Sequence, residues 1–367
     1  MALLTNGILC LIVALAVTYL QETGPFQRAK FQETDNLLDA YDYVVVGGGS
    51  AGCVVASRLS EDTDVSVLLL EAGGDYNADP DVPVPIRWGL LLHRDMDWAY
   101  YSIPQSTSSQ GLKDKKSFLP RGRVLGGSSA INLLQYTRGN SREFDEWDEH
   151  GCKGWSWRDV LPYFLKSEDI LIDDLKKSKF HSTGGPLAVS STKVTPLADM
   201  YLAAGQELGY KSIDYNSDDQ EGISPAQINV RQGVRSSTGL EFIAPHMGRK
   251  NLHVGLNSFV TKVDIQNKRA TGVYMIRNNK KLFVKAHKEV IVSGGVFNSP
   301  QLLMLSGIGP KKQLEEIGIP LIKDLPVGKN LQDHPLAILY AKINESISIT
   351  GSKVTSLTET LRYRLFR

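Results

Sequence analysis

The chain has 367 residues, and its 41 lysines and arginines nearly balance its 40 aspartates and glutamates, which leaves a net charge of +1. This length suggests two domains, or one large domain with an inserted lobe, and 42% apolar residues are enough for a sizeable core. Because no basic or acidic block interrupts the sequence, the charge pattern does not indicate a nucleic-acid or polyanionic partner.

An apolar run near the N-terminus, residues 8–20, has the length of the core of a secretory signal peptide. No lysine or arginine precedes the run, and no clear small-residue cleavage site follows Ala16. Two alternatives therefore stay open: the run is an uncleaved membrane anchor, or it is neither a signal peptide nor an anchor. We therefore predict a signal peptide or anchor over residues 1–20 and a secreted protein, with a membrane-anchored protein as the alternative. The sequon at Asn344 agrees with secretion.

The first glycine stretch, residues 42–52, reads D-Y-V-V-V-G-G-G-S-A-G. A short β-branched strand is followed by Gly47, Gly49 and Gly52 at the spacing G-x-G-x-x-G, and a helical pattern begins at Ser50. Gly47 would permit a tight turn, Gly49 would let backbone N–H groups approach a pyrophosphate, and Gly52 would let helix and strand pack closely. The phosphate would then lie at the helix N-terminus, where unpaired N–H groups favour an anion.

Glu71 follows a second apolar run, residues 65–70. At the end of the second strand of a βαβ unit, a carboxylate is placed to meet a ribose hydroxyl. Residues 42–74 therefore predict parallel strands that bind a dinucleotide.

The second glycine stretch spans residues 120–132 and contains Gly126, Gly127, Ser128 and Ser129 in succession. Bare backbone N–H groups and hydroxyls can cradle an anion, and two nearby arginines could neutralise a phosphate. The alternative is an ordinary loop with a helix cap at one of the two serines, and the stretch alone does not decide between them.

The middle of the chain predicts a second lobe inserted between parts of the nucleotide-binding domain. Residues 145–166 are helical in pattern with glycine interruptions, and residues 170–220 are polar and turn-rich around an amphipathic helix at 197–208. Residues 251–264 and 272–276 then predict strands that return to the first domain.

The third glycine stretch begins with a buried strand at residues 289–292, which leads to Gly294 and Gly295. An Asn-Ser-Pro helix start follows, with Pro300 expected near the first helical position. A plain strand-to-helix turn remains possible for this stretch, but three such sites in one chain favour a bound dinucleotide. His334 is predicted to be structural rather than a general base.

Cysteine usage indicates no disulfide framework. Cys10 lies in the apolar run, and we predict that Cys53 and Cys152 are free thiols, with Cys53 packing as a small hydrophobic residue. No metal site is predicted.

Taken in order, these stretches resemble the GMC (glucose–methanol–choline) oxidoreductase family of FAD-dependent alcohol and sugar dehydrogenases and oxidases. The glycine motif with Glu71 is one match, and residues 122–140 and 295–309 resemble the two signatures of the family. The resemblance covers residues 42–367 and is strongest to the insect glucose-dehydrogenase-like branch.

The resemblance implies an α/β fold: a Rossmann-like FAD-binding domain with an inserted α+β substrate lobe, incomplete at the C-terminus. The expected FAD-binding domain comprises residues 41–150 and 236–333, and the expected substrate lobe comprises residues 151–235 and the start of its remainder, 334–367.

The resemblance also implies a set of cofactor-binding residues. They are Gly47, Gly49, Ser50, Ala51 and Gly52 for the FAD pyrophosphate, Glu71 for the adenosine ribose, Gly126, Gly127, Ser128 and Asn132 for the flavin side, and the Val260 backbone for the adenine. Three positions, Leu133, Leu134 and Val296, depart from the residues that are usual in the family.

In the family, a histidine takes the substrate hydroxyl proton while hydride passes to flavin N5. None of the seven histidines of this chain lies in the His-Pro-x-Gly-Thr context of that base, so no catalytic residue is assigned. We expect an FAD-dependent dehydrogenase for an alcohol or sugar with quinone or oxygen as acceptor, and we expect this chain alone to be inactive and poorly folded. The alternative is a non-catalytic flavin-binding or secreted interaction module; an NAD-dependent dehydrogenase is disfavoured by the second and third stretches.

Overall fold

The computed structural model describes residues 31–366, except for residues 193, 194, 335, 337, 340 and 346. The predicted signal or anchor run and Cys10 lie outside the described residues, as does the serine of the sequon. Within the described part, no helix has the length and apolar character needed to cross a membrane.

Strands and helices alternate in the first part of the chain, and most of the long strands lie in its second half. The strands are β1 Ala40–Val46, β2 Val67–Leu70, β3 Tyr100–Tyr101, β4 Phe118–Leu119, β5 Glu168–Ile170, β6 Leu187–Ser191, β7 Gln227–Ile228, β8 Val230–Arg231, β9 Val234–Arg235, β10 Leu252–Gly255, β11 Ser258–Gln266, β12 Arg269–Arg277, β13 Lys280–Val292, β14 Ile308–Gly309 and β15 Lys323–Asp324. The α-helices are α1 Ser50–Leu59, α2 Ser141–Glu149, α3 Trp157–Ser167, α4 Pro196–Glu207, α5 Gly295–Leu305, α6 Lys311–Glu316, α7 Gly351–Thr355 and α8 Leu357–Phe366.

The main sheet has six strands in the order β10-β2-β1-β13-β12-β11. The first four strands run parallel to one another, whereas β12 and β11 continue the sheet antiparallel. The central strand β1 pairs with β2 and with β13, so that Val44 lies opposite Leu68 on one side and Val290 on the other. A mixed α/β fold with a parallel sheet was expected, and this expectation is confirmed.

Both faces of the parallel strands are buried, which explains their uninterrupted apolar sequences. Val44 and Leu68 pack on one face with helix α5 and strands β11 and β12, while Val45 and Leu69 pack on the other with helix α1 and a π-helical turn at Gly239–Ile243. The sheet therefore forms the middle layer of the region that was expected to bind a dinucleotide.

A smaller sheet, β5-β6-β7, forms the core of the second lobe, and helices α2 and α3 pack on each other beside it through Phe144, Trp157 and Phe164. An isolated bridge between Gln135 and Ile228 links the chain that follows the second glycine stretch to this lobe. The residue boundaries of the two domains stay a prediction.

A buried ion cluster stabilises the lobe. His181 Nδ1 lies 3.0 Å from Glu168 Oε1, and its Nε2 lies 2.8 Å from Asp214 Oδ2. Arg138 lies 3.0 Å from the same Glu168, and the side chains of Arg138, Glu168 and His181 are fully buried. Two cations and two carboxylates thus compensate one another, and of the four only Asp214 is partly exposed, with 12% of its side chain accessible.

Two predicted boundaries were wrong. Helix α5 begins at Gly295, so Pro300 lies inside the helix rather than near its first position. Strand β13 begins at Lys280 rather than at Glu289, because residues 280–285 extend it by antiparallel pairing with β12, and the first four of its side chains are exposed. Cys53 and Cys152 are free, and Cys53 is buried, which confirms the prediction for both thiols.

Candidate functional site

The three glycine stretches meet at the carboxyl ends of β1, β2 and β13. They enclose a cavity of about 420 Å³, within the size range of ligand pockets. This is the crevice in which open parallel α/β sheets bind their ligands.

Gly47 and Gly52 make the first turn possible. Gly47 has φ +101°, and a Cβ there would lie 2.4 Å from the carbonyl oxygen of Ser293. A Cβ on Gly52 would lie 1.9 Å from the carbonyl oxygen of Gly47. Any side chain at either position would thus force strand, turn and helix apart.

Gly49 differs from these two glycines. Its backbone is extended, with φ −82° and ψ −165°, and a Cβ there would meet nothing closer than Gly127 Cα at 3.9 Å. The protein itself therefore leaves space at Gly49. A Cβ on Gly127, in contrast, would lie 2.6 Å from Gly49 Cα, so the two backbones face each other across a narrow gap.

The start of helix α1 is electropositive and open. Gly49, Ser50 and Ala51 line the cavity, no acidic residue lies in the first turn, and no side chain of the described residues caps it. The unpaired N–H groups and the helix dipole therefore point a partial positive charge at the cavity. Together with the space at Gly49, this arrangement fits the phosphates of a dinucleotide.

Glu71 forms another part of the cavity wall and is only 5% exposed. Its Oε2 accepts a hydrogen bond of 2.8 Å from Gly48 N–H, and its Oε1 accepts one of 2.8 Å from Gly73 N–H. Burial raises the pKa of Glu71, and these backbone hydrogen bonds oppose the shift only in part, so that the pKa is about 7. The carboxylate is thus held rigidly, with lone pairs left for hydroxyl donors.

The predicted cofactor-binding residues divide into two groups. Eight line the cavity: Gly47, Gly49, Ser50, Ala51, Glu71, Gly127, Ser128 and Val260. Gly52, Gly126 and Asn132 do not. Gly52 packs against the turn, Gly126 has φ +93° and faces Gly239, and Asn132 is exposed.

The two serines of the second stretch bond within their own loop, and Ser129 Oγ also accepts a hydrogen bond of 3.1 Å from Thr238 N–H. Ser129 Oγ donates to Gly126 O at 2.6 Å, and Ser128 Oγ accepts from Gly122 N–H at 3.1 Å. Residues 127–130 form a single 3₁₀ turn, so neither serine caps an α-helix.

An aromatic wall lines the same cavity and was not predicted. Trp98 and Tyr100 are stacked, with centroids 5.8 Å apart, and they contact Phe259 and Phe297 at 6.1 and 5.7 Å. The guanidinium of Arg123 lies 5.0 Å from the centroid of the Trp98 ring. The only signal in the sequence was the concentration of aromatic residues between residues 75 and 104.

Tyr100 also fixes the third glycine stretch. Its hydroxyl donates a hydrogen bond of 2.6 Å to Asn298 Oδ1 at the start of α5. Burial raises the pKa of this tyrosine, so the hydroxyl stays protonated at neutral pH and remains a donor. The aromatic wall is thus tied to helix α5.

No histidine lines the cavity in the part of the chain that the structure describes. His334 is exposed, His181 belongs to the ion cluster of the lobe, and His253 bonds the Tyr41 hydroxyl at 2.7 Å. Among the same described residues, no group of His, Cys, Asp or Glu is placed to hold a metal ion. The cavity can bind and orient a ligand; among its described lining residues, the one carboxylate is Glu71, and both of its oxygens already accept backbone hydrogen bonds.

Known proteins resemble this chain in sequence. The profile of the GMC oxidoreductase family matches residues 41–336. The chain is 42% identical to glucose dehydrogenase (FAD, quinone) of Drosophila pseudoobscura pseudoobscura, over 80% of the chain and 48% of that protein. It is 41% identical to the oxygen-dependent choline dehydrogenase of Photobacterium profundum, over 80% of the chain and 51% of that protein.

Solved structures of other proteins also resemble this chain. Pyridoxine 4-oxidase from Mesorbium loti superimposes with a TM-score of 0.73 at 34% identity, covering 78% of this chain and 55% of that one. Formate oxidase superimposes with a TM-score of 0.70 at 31% identity, covering 78% of this chain and 51% of that one. The chain spans about half the length of the curated relatives it matches.

Proposed function

The chain belongs to the GMC oxidoreductase family, and on this premise we propose that it binds FAD and takes part in the oxidation of CH–OH groups of alcohols or sugars. The observation that carries the proposal is the gap between Gly49 and Gly127, which opens into the cavity at the N-terminus of α1. FAD, when bound, supplies the acceptor for hydride.

The residues of the chain have defined tasks in this proposal. The first turn of α1 binds the pyrophosphate through N–H groups, Glu71 accepts hydrogen bonds from ribose hydroxyls, and the Val260 backbone meets the adenine. Gly126, Gly127, Ser128 and Asn132 are assigned to the flavin side. The aromatic wall excludes water from the bound dinucleotide.

Substrate and acceptor are proposed only by class. The substrate is a small alcohol or sugar, and the acceptor is a quinone or oxygen. Support comes from the relatives, since one is named as a quinone-linked glucose dehydrogenase and another as an oxygen-dependent choline dehydrogenase.

A second candidate is a flavin-binding module that does not catalyse. It is favoured by one observation: within the described residues, the cavity wall contains no histidine that could take the substrate proton. Turnover of glucose or choline by the purified chain with a quinone or dye acceptor would exclude this second candidate.

The substitution Gly49→Val tests the proposal. The Cβ position at Gly49 is open, with Gly127 Cα the nearest atom at 3.9 Å, so the valine side chain would project into the gap that the proposal assigns to the ligand. We expect the wild-type chain to bind FAD but not NAD⁺ in calorimetric titrations and to show a flavin spectrum. Gly49→Val should weaken FAD binding by at least about 100-fold, with little change in melting temperature.

Gly248→Val is the matched control, because a Cβ at Gly248 also meets nothing within 4 Å but lies away from the cavity. It should bind FAD like the wild type. If Gly49→Val bound FAD with wild-type affinity, the proposed site would be wrong. If the wild-type chain preferred NAD⁺ to FAD, the proposed cofactor would be wrong.

We propose further that the protein is secreted, with a membrane-anchored protein as the alternative. Support comes from the apolar run at residues 8–20 and the sequon at Asn344. Expression of the full chain in insect cells, followed by N-terminal sequencing of protein from the medium and the membrane fraction, distinguishes the two.

A further inference from the structure

The antiparallel strands β11, β12 and β13 expose apolar side chains on one face of the sheet. Their inner face packs in the core through Val263, Val273 and Val284. Because side chains alternate along each strand, the intervening residues lie on the opposite face, which we call the outer face. Four large apolar side chains of the outer face are between 37% and 43% exposed: Phe259, Tyr274, Ile276 and Phe283.

The pairing of the strands places these four side chains next to one another. Ile276 lies opposite Phe259, and Tyr274 lies opposite Phe283, with ring centroids 4.9 Å apart. Phe283 also lies over Gly272, where a Cβ would be 2.6 Å from its Cζ. The four side chains thus form one continuous apolar patch, and a contiguous exposed patch indicates an interaction surface.

Three exposed lysines flank the patch, each opposite a residue of β12: Lys281 opposite Ile276, Lys262 opposite Tyr274, and Lys285 opposite Gly272. Within the described part of the chain, the side chains of these lysines form no ion pair or hydrogen bond. Because they belong to two separate strands, they form no basic block in the sequence, and the charge pattern alone did not indicate an anionic partner.

The acidic residue in the same register is already engaged. Asp264 lies opposite Gly272, and its Oδ2 accepts hydrogen bonds from Thr271 Oγ1 at 2.6 Å and from Gln266 Nε2 at 2.8 Å. The outer face therefore combines an apolar patch with a net positive charge, which favours an anionic partner.

The N-terminal part of the chain joins the fold at the edge of this face. Arg277 ends β12 directly after Ile276, and its Nη2 donates to the carbonyl oxygen of Thr34 at 2.8 Å and pairs with Glu33. Leu20, the last residue of the apolar run, lies 13 positions before Glu33, so covalent geometry keeps it within roughly 45 Å of this edge. A run retained in a membrane would thus hold the outer face near the lipid.

From the apolar patch, its lysines and the entry of the chain, we infer that the outer face binds an anionic lipid surface. The apolar side chains enter the headgroup region, and the lysines meet the phosphate and carboxylate groups of the lipids. An acidic protein segment would match the same charge, but nothing in the chain places one there, whereas the apolar run lies within reach. The inference concerns a surface outside the proposed function and does not require FAD to bind.

The test is partitioning of the full chain onto vesicles of pure phosphatidylcholine and of phosphatidylcholine mixed with phosphatidylserine, measured by sedimentation. The apolar run carries no charge, so the ratio of the two partition coefficients reports the outer face and not the run. We expect the wild type to prefer the anionic vesicles at least about tenfold, and the preference to weaken as salt is added.

The triple variant Lys262→Gln, Lys281→Gln, Lys285→Gln should lose most of this preference. Its matched control replaces three exposed lysines of the second lobe and changes the net charge equally: Lys176→Gln, Lys177→Gln, Lys179→Gln. The control should keep the preference. All six positions are exposed, so both variants should melt like the wild type.

The apolar patch is tested by Tyr274→Ser, with Tyr201→Ser at a 72% exposed position of α4 as its control. Phe259 stays unchanged because it also lines the cavity. Tyr274→Ser should bind the anionic vesicles several-fold more weakly, since less apolar surface is buried, whereas Tyr201→Ser should bind like the wild type.

Three results would overturn the inference: equal partitioning of the wild type onto the two kinds of vesicle, equal losses in the two lysine variants, or no difference between Tyr274→Ser and Tyr201→Ser. Binding of dissolved polyglutamate without binding of the anionic vesicles would also overturn it and assign the outer face to an acidic protein segment. Failure to bind FAD would affect only the proposed function.

Discussion

The backbone N–H of Gly126 donates a hydrogen bond of 2.7 Å to the carbonyl oxygen of Gly48. This bond joins the first and second glycine stretches directly, backbone to backbone, and places Gly127 against Gly49. The two walls of the cavity are therefore fixed to each other before any ligand arrives, which lowers the ordering cost of binding.

Replacing Gly127 with alanine should separate the two walls. The new Cβ would lie 2.6 Å from Gly49 Cα, and the backbone there has φ +54°. We expect a loss of about 2–4 kcal/mol in the free energy of unfolding, from strain and overpacking together, measured by urea denaturation. Gly318→Ala is the control, because Gly318 has φ +71° with nothing within 4 Å; it should lose only about 1–2 kcal/mol. Equal losses in Gly127→Ala and Gly318→Ala would mean that the close approach of Gly127 to Gly49 does not contribute to stability.

Glu71 should make the ligand-free protein less stable as the pH rises. Its pKa is about 7 in the folded protein, above the ordinary 4.5, so between these values the unfolded chain has released a proton that the folded protein keeps. Relative to Glu71→Gln, the free energy of unfolding of the wild type should fall by about 3 kcal/mol from pH 4.5 to pH 7 and then level off. Urea denaturation across this pH range measures the difference in the free energy of unfolding between the two proteins. A difference that rises with pH would contradict the raised pKa of Glu71 in the folded protein.

The raised pKa of His181 predicts a separate loss of stability at higher pH. Burial lowers its pKa, but hydrogen bonds to Asp214 and Glu168 raise it more, to about 9, against an ordinary 6.5. Its stabilisation is complete below about pH 6.5 and disappears as the pH rises to 9. Relative to His181→Gln, the wild type should lose about 3 kcal/mol over that window. A constant difference in melting measurements between pH 6 and pH 9.5 would show that the histidine is neutral in the cluster.

The aromatic wall should contribute to ligand affinity. Replacing Trp98 with alanine removes stacking against Tyr100 and one side of the cavity, so FAD affinity measured by calorimetry should fall about tenfold. Trp155→Ala, at a 55% exposed position on the second lobe, is the control and should bind like the wild type. Equal FAD affinities for the wild type and Trp98→Ala would show that the aromatic wall is not part of the binding site.

The glycine turn could be predicted from the sequence because its constraints are local. Gly47 and Gly52 touch each other within one strand-turn-helix unit, so their spacing alone defines their packing. The parallel pairing of β1 and β2 followed from the same unit, whereas the fold class followed from the resemblance of the three stretches to the GMC oxidoreductase family.

The rest of the site depends on contacts between distant parts of the chain. Trp98, Phe259 and Phe297 belong to three separate stretches that only the sheet order brings together. Arg235 reaches Asn132 from a short strand whose sequence carries no motif of its own. No periodicity or spacing encodes such partners, which is why the hydrogen bond between Arg235 and Asn132 was not predicted.

The position of β1 in the sheet has a consequence for synthesis of the protein. Its partner β2 is made soon after it, but β13, its partner on the other edge, is made only after the whole second lobe has been translated. Until then, the pairing edge of β1 and the apolar faces of both strands lack their cover. We therefore expect a nascent chain that folds late and slowly, depends on chaperones during translation, and is prone to aggregate when expression is fast.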